Sequence, residues 1–211
     1  MLNSLISEIK SLANPEQSKN LQRFFKTGKG EYGEGDIFLG IKVPLQRTVA
    51  KKYADLSFED LQNLLNNKIH EYRMIALIIL VNRYKKSKKD SFEKRRIYEF
   101  YMKNTNNINN WDLVDISCPA IVGNFLSVEG TETLKILAKS ENMWERRIAI
   151  LSTAPLIKKR LFGETLSIAD MLIKDKHDLI HKAVGWMLRE VGKKNMDVLE
   201  LFLKPRYKEM P

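Results

Sequence analysis

Trp111 and Asp115 are the two residues whose types and spacing point most directly to chemistry. They stand four positions apart, so on a helix both side chains project from one face, a turn apart. A carboxylate beside an aromatic ring suits a developing cation, because the π-face of the ring and the charge of the carboxylate both attract positive charge. The same spacing also fits a core tryptophan beside an aspartate in a structural ion pair.

An internal repeat singles out Asp115. Four helical segments align on Ala76, Asp115, Ala149 and Gly185, which follow one another at intervals of 34 to 39 residues. The small residues indicate close packing of neighbouring helices or close approach of another molecule. Because an unpaired buried carboxylate is costly, we expect Asp115 to have a specific partner or to line a cleft. Asp112 is rotated away and is expected at the surface or in a helix cap.

The elements that must position these residues are helices. Apolar residues recur at steps of three and four over most of the chain, while alternating strand patterns and hairpin signals are scarce. A repeat of this length with two helices per unit is typical of HEAT and armadillo-type solenoids. The sequence therefore predicts an all-α, HEAT-like solenoid with a concave basic face, formed as a single domain over residues 1–211. An irregular helical bundle is the alternative.

The charge of the chain favours a polyanionic partner. Lysine and arginine total 36 against 26 acidic residues, which gives a net charge of +10 and a pI near 9.5. Such a surplus is typical of proteins that bind nucleic acid or an anionic membrane surface, although a lysine-rich soluble surface is the plainer interpretation. The solenoid period could align the basic clusters into a stripe that follows a phosphate backbone. These clusters are residues 85–89, 94–96, 158–160 and 193–194.

If the repeat helices line one surface, Trp111 and Asp115 lie near Arg147 of the next repeat and Trp186 of the one after. Aromatic rings against sugar or base and an arginine against phosphate would suit DNA.

Cysteine content and hydropathy exclude several classes of protein. The single cysteine, Cys118, excludes a disulfide framework and a cysteine-based zinc site. The first 14 residues lack the apolar core of a signal peptide, and the longest apolar run, residues 74–81, is far short of the roughly 20 residues that a membrane helix needs. We therefore expect a cytoplasmic protein with no metal and no membrane partner.

The glycine-rich residues 28–33 match the pattern G-x-G-x-x-G, which can hold a nucleotide phosphate only after a strand and before a helix. The preceding residues 21–26 are helical in pattern, and Glu31, Glu34 and Asp36 would repel a phosphate. We interpret this stretch as a surface loop.

Taken together, four stretches resemble the DNA alkylation repair family, the AlkD-type DNA glycosylases. They follow the family's order across most of the chain and are residues 38–44 (FLGIKVP), 111–115 (WDLVD), 144–151 (WERRIAIL) and 182–190 (KAVGWMLRE). The resemblance implies a monomeric enzyme that excises cationic N3- or N7-alkylated purines from double-stranded DNA, which it engages from the backbone side. It implies no metal and no organic cofactor.

By motif, the resemblance makes Asp115 the catalytic carboxylate, Trp111 and Trp186 the aromatic residues that flank the deoxyribose of the lesion, and Arg147 a contact to the DNA backbone. The chemistry of the bond agrees with these roles. A purine alkylated at N3 or N7 is cationic and leaves readily, while cleavage of the C1′–N bond builds oxocarbenium character on the sugar. A carboxylate there would stabilise the sugar cation and position water, so no general acid is needed.

One departure from the family concerns its N-terminal aromatic helix. Phe24 or Phe25 could supply the aromatic residue that this helix brings to the lesion, but residues 27–36 contain four glycines and cannot form a good helix. This loop favours an alternative, a non-catalytic HEAT-like module that binds DNA or another nucleic acid. A protein–protein scaffold is a third interpretation. The presence together of Trp111, Asp115, Arg147 and Trp186 favours the enzyme.

Overall fold

The computed structural model describes residues 1–208 and residue 210, and within them the chain forms helices joined by loops and has no β-strand. The predicted all-α fold is confirmed. A 3-10 turn at Thr105–Asn107 and a π-helical turn at Pro119–Gly123 accompany the α-helices. These are α1 Leu2–Ser11, α2 Pro15–Phe24, α3 Val43–Lys52, α4 Phe58–Leu65, α5 His70–Lys86, α6 Ser91–Lys103, α7 Trp111–Ser117, α8 Asn124–Glu129, α9 Glu132–Ala138, α10 Met143–Leu151, α11 Ala154–Lys158, α12 Gly163–Leu172, α13 Asp178–Lys194 and α14 Met196–Leu203.

Four long helical segments form one layer of a helical repeat. They are α5, the nearly continuous helix of α7, the π-helical turn and α8, then α10 with α11, and finally α13. Each packs against the next, and α4, α9 and α12 pack as the outer helices against α5, α10 and α13. One hydrophobic core extends through the stack from Leu5 to Phe202. The predicted single domain also includes residues 209 and 211, which lie outside the described residues.

The four long segments run parallel to one another. Side-chain contacts join their amino-terminal ends to each other and their carboxyl-terminal ends to each other. At the amino-terminal ends, His70 of α5 bonds to Asp112 of α7, and Arg147 of α10 bonds to the carbonyl of Leu179 in α13. At the carboxyl-terminal ends, Lys159 bonds to Ser127 and Arg160 to the carbonyl of Lys194. We call these two borders of the layer the amino-terminal edge and the lysine edge.

Side-chain caps set where three of the long segments begin. The side chains of Asn110 and Asn142 accept hydrogen bonds from the amides of Trp111 and Trp144 at 2.8 and 2.9 Å. His177 accepts from the Leu179 amide at 3.2 Å through its Nδ1. Such caps satisfy amide groups that have no partner inside the helix, so they hold the starts of α7, α10 and α13 at one border of the layer.

Residues 38–41 are held against α5 by a buried carboxylate. Glu71 accepts hydrogen bonds from the amides of Leu39, Gly40 and Ile41. Gly40 has a φ of +84°, and a Cβ there would lie 2.1 Å from the carbonyl oxygen of Asn14, so only glycine fits. This arrangement gives a physical reason for the glycine in the FLGIKVP stretch.

The repeat alignment holds only in part. Ala76 and Ala149 are each the seventh residue of their helix and are fully buried. Asp115, in contrast, is the fifth residue of α7, and a Cβ on the exposed Gly185 would meet no atom within 4 Å. Asp115 therefore does not occupy the packed position that the two alanines share, since it lies nearer the start of its helix.

Candidate active site

Asp115 and Arg147 form a two-pronged ion pair at the amino-terminal edge. Arg147 Nε donates to Oδ1 of Asp115 and Nη2 donates to Oδ2, both at 2.8 Å. Arg147 Nη1 donates to the carbonyl of Leu179. The pair thus joins three long segments, and it gives Asp115 a specific partner, one of the two alternatives that the sequence left open. The Asp115 side chain is 20% exposed, so its carboxylate is still accessible from outside.

Burial and pairing act in opposite directions on Asp115. Loss of solvent raises the pKa of this carboxyl above its ordinary value, the hydrogen bonds and charge of Arg147 lower it, and the nearby charge of Asp112 adds to the rise. The net direction is upward. Arg147 is therefore the group that keeps the ionised form accessible.

The indole of Trp111 contacts two phenylalanine rings, one buried and one exposed. Phe25, which is buried, stacks on it with ring centroids 5.2 Å apart and an angle of 17° between the planes. Phe24 meets the same indole edge-on at 6.0 Å and is 62% exposed. Both aromatic residues at the end of α2 thus reach Trp111, and Phe24 is the one that faces outward.

The glycine-rich loop folds back onto this edge. The ring of Tyr32 meets Trp144 edge-on at 6.1 Å, and its hydroxyl donates to the carbonyl of Phe24 at 3.4 Å and lies within hydrogen-bonding reach of the Trp111 side chain. A Cβ on Gly33 would lie 2.4 Å from the carbonyl oxygen of Phe25, which is why the loop needs glycine there. Sequence reasoning missed Tyr32, and a tyrosine enclosed by glycines was the only signal for it.

Trp186 lies further along the layer. It stands on α13, seven residues after Leu179, which corresponds to about 10 Å along a helix. Its side chain is 37% exposed and hydrogen-bonds to Glu190. Within residues 1–208 and 210, no ring contact joins it to Trp111. The structure therefore brings Phe24 against Trp111 and Arg147 against Asp115. In the described part of the chain, no hydrogen bond or ring contact joins Trp186 to these four residues.

A buried charge network lies directly behind Trp111. Asp36 accepts hydrogen bonds from Arg73 at 2.6 Å and from Asn110 at 3.3 Å, and it faces His70 Nδ1 at 3.2 Å. The other ring nitrogen of His70, Nε2, lies 2.9 Å from Asp112. We expected Asp112 at the surface or in a helix cap, and its Oδ1 does accept a hydrogen bond from the Leu113 amide in the first turn of α7. Its Oδ2 is bound by His70 as well, because α5 packs against α7. Asp36, predicted in a surface loop, is buried for the same reason.

The lysine edge carries the basic clusters at the other end of the long segments. A groove of about 420 Å³ there is lined by lysines together with the aromatic residues Tyr84 and Phe125. Lys94 donates to the carbonyl of Lys88 and Lys159 to the hydroxyl of Ser127. The lysines of the groove are Lys85, Lys88, Lys89, Lys94 and Lys159. Since α5 and α13 have 17 residues each, this edge lies about 25 Å from the amino-terminal edge.

Comparison with known proteins places the chain in a family. Residues 5–211 match the model of the family described as DNA alkylation repair enzyme. No curated protein sequence matches the chain significantly.

Similar solved structures share the fold. One is described as a predicted DNA alkylation repair enzyme from Enterococcus faecalis, with 21% identity and a TM-score of 0.68 over 92% of this chain and 89% of that one. Another is AlkD2 from Streptococcus mutans, with 18% identity and a TM-score of 0.56 over 90% and 88% of the two chains. A third, smu.31 from Streptococcus mutans UA159, has 19% identity and a TM-score of 0.55 over 89% of each chain.

None of the helices in the described part of the chain is both long and apolar enough to cross a lipid bilayer.

Proposed function

The chain belongs to the DNA alkylation repair enzyme family, and from this premise we propose that it hydrolyses the N-glycosidic bond of cationic N3- or N7-alkylated purines in duplex DNA. The observation that carries the proposal is the Asp115 carboxylate. Both of its oxygens accept hydrogen bonds from Arg147, and it is accessible near the indole of Trp111, which stacks on Phe25. A carboxylate fixed in this way is prepared to face positive charge on a sugar.

The main requirement of the reaction is a negative charge beside the sugar. As the C1′–N bond breaks, its electron pair goes to the alkylated purine, which leaves as a neutral base, while positive charge builds on the deoxyribose. The Asp115 carboxylate stabilises that charge and orients a water molecule, whose oxygen bonds to C1′ while one of its protons passes to the surrounding water. The purine is already cationic, so no acid has to protonate it.

The aromatic residues would hold the damaged nucleotide. Trp111 offers a π-face to the cationic sugar, and Phe25 beneath it prevents the ring from turning away. Phe24 lies at the exposed margin of this ring. Trp186 would flank the deoxyribose of the lesion from α13.

Arg147 takes a role in addition to the one that the resemblance implies. Its Nε and both Nη atoms already donate within the protein. A guanidinium has five N–H groups, so one on each Nη atom has no partner among the described residues, although the side chain is only 6% exposed. We therefore assign Arg147 first to the position and charge of Asp115, and second to the backbone contact.

The partner in this proposal is double-stranded DNA that contains alkylated purines. The lysine edge provides exposed cations for its phosphates, and the protein acts as a monomer in the bacterial cytosol.

Single-turnover release of 7-methylguanine from a defined duplex tests the proposal, with wild type and Asp115→Asn compared side by side. Release by the wild type alone supports it. If neither protein releases base while both bind the duplex, the enzyme is ruled out and the non-catalytic DNA-binding module becomes the better description.

A further inference from the structure

We propose that His70 is a positioning residue of this site, a buried imidazolium that ties Asp36 of the glycine-rich loop to Asp112 of α7 and thereby fixes Trp111 and the charge around Asp115. The inference rests on the proposed function and deepens it, since His70 reaches no exposed surface and acts only through its neighbours.

The hydrogen bonds of His70 run in two directions. Its side chain is 2% exposed, and its ring nitrogens face one carboxylate each, Asp36 at 3.2 Å and Asp112 at 2.9 Å. Carboxylates accept hydrogen bonds, so both contacts are satisfied only when both ring nitrogens carry protons. Asp112 is the neighbour of Trp111 in the first turn of α7, while Asp36 closes the loop that carries Tyr32.

Ring stacking gives a second connection to the same tryptophan. The imidazole stacks on Phe38 with ring centroids 4.4 Å apart and lies 5.3 Å from Phe25. Phe25 in turn stacks on Phe38 and on Trp111. A change in the His70 ring is therefore passed to the Trp111 indole through one intervening ring.

The charges balance only with a protonated histidine. The groups that face His70 are Asp36, Asp112 and, through Asp36, Arg73. With His70 cationic, two positive and two negative side chains are buried together. Burial lowers the pKa of His70, but the two carboxylates outweigh it, and the net pKa is raised above 6.5. Loss of the His70 charge would leave Asp112 uncompensated, and Asp112 already raises the pKa of Asp115.

The first test needs no activity. In the wild type, ¹⁵N NMR of the imidazole should show both His70 nitrogens protonated at pH 6.5, with titration only above that value. Because the folded pKa is raised, the free energy of unfolding should fall as pH rises from 6.5 through the folded pKa. This fall should be absent in His70→Gln. A neutral His70 at pH 6.5 would overturn the inference, whether or not any variant folds.

The second test measures release of 7-methylguanine against pH. His70→Gln should lower the single-turnover rate by about 10-fold and move the acid limb of the profile to higher pH, since Asp115 then faces an unbalanced Asp112. The matched control is His177→Asn, which keeps the cap of α13 and should retain the wild-type profile. A His70→Gln profile with an unmoved acid limb would reduce His70 to a structural role.

Failure of the proposed function can be told apart from failure of this inference. If the wild type releases no base, the indole NMR signal of Trp111 still reports the coupling. It should shift in His70→Gln while that of Trp186, on α13, stays in place. An unshifted Trp111 signal in the folded variant contradicts the coupling even if the wild type is active.

Discussion

The two edges of the helical layer use charge in opposite ways. At the amino-terminal edge, the charges of Asp36, Asp112, Asp115 and their cationic partners are paired and largely buried. At the lysine edge, Lys85, Lys88 and Lys89 are exposed and the described residues show no ion pair for them. Paired charges keep a fixed geometry, whereas exposed ones exchange counterions with a polyanion.

This difference follows partly from helix polarity. Carboxylates are favourable near the amino-terminal ends of helices and lysines near the carboxyl-terminal ends, because of the helix dipole. Four parallel segments therefore collect acids at one border and lysines at the other. The comparison indicates a division of work, with chemistry at the amino-terminal edge and attraction of DNA at the lysine edge.

The largest expected effect is that of Asp115→Asn. Loss of the negative charge should reduce the single-turnover rate of 7-methylguanine release by about 10³-fold, because the amide cannot stabilise a sugar cation. Duplex affinity, measured by fluorescence anisotropy, should change little. A rate close to that of the wild type would show that the reaction does not take place at the amino-terminal edge.

Arg147→Ala should have the next largest effect. Without the guanidinium, burial of Asp115 is unopposed, so the pKa of this carboxyl rises further and the acid limb of the pH–rate profile moves to higher pH. The rate near neutral pH should fall by about 10²-fold. Arg147→Lys, which keeps the charge but not the two-pronged geometry, should lie between the two. An acid limb that does not move would show that Arg147 does not lower the pKa of Asp115.

Replacing three lysines of the lysine edge should weaken binding and spare the chemistry. The triple variant Lys85→Gln, Lys88→Gln, Lys89→Gln should bind an undamaged duplex about 10-fold more weakly. The slope of log affinity against log salt should become shallower by about 0.9 for each DNA phosphate that the variant no longer neutralises. The rate of release at saturating enzyme should be unchanged.

The matched control for this variant replaces three exposed lysines away from the groove, Lys10, Lys19 and Lys103, with glutamine. Equal affinities and salt slopes for the two triple variants would show that the lysine edge has no special part in binding.

The smallest effect is expected from Phe24→Ala. The ring is exposed and meets Trp111 only by its edge, so its loss should leave the melting temperature nearly unchanged. An exposed aromatic contact to a cation contributes about 0.5 to 1 kcal/mol, so the rate of release should fall by only a few-fold. A decrease as large as that of Asp115→Asn would mean that Phe24 organises the site itself.

Much of the fold could be predicted because helical periodicity and repeat length are local properties. The same reasoning proposed Asp115 from the repeat alignment and Trp111 from its four-residue spacing to Asp115. It did not find the network of His70, Asp36 and Asp112, because these residues are separated by more than 30 positions and the motif that contains Asp112 gives no sign of the other two. Tyr32 was missed for the same reason, since only loop closure brings it to Trp144.

The sequence by itself therefore determined that this protein is helical, repeated, basic and similar to DNA alkylation repair enzymes. Only the tertiary structure decided which charges are paired and at which end of the helices they lie. The physical reason is that a periodic pattern sets which face of each helix is buried, but the stacking of parallel helices sets which side chains meet. Through that stacking Arg147 holds Asp115, His70 lies between two carboxylates, and the lysines are left exposed at the opposite edge.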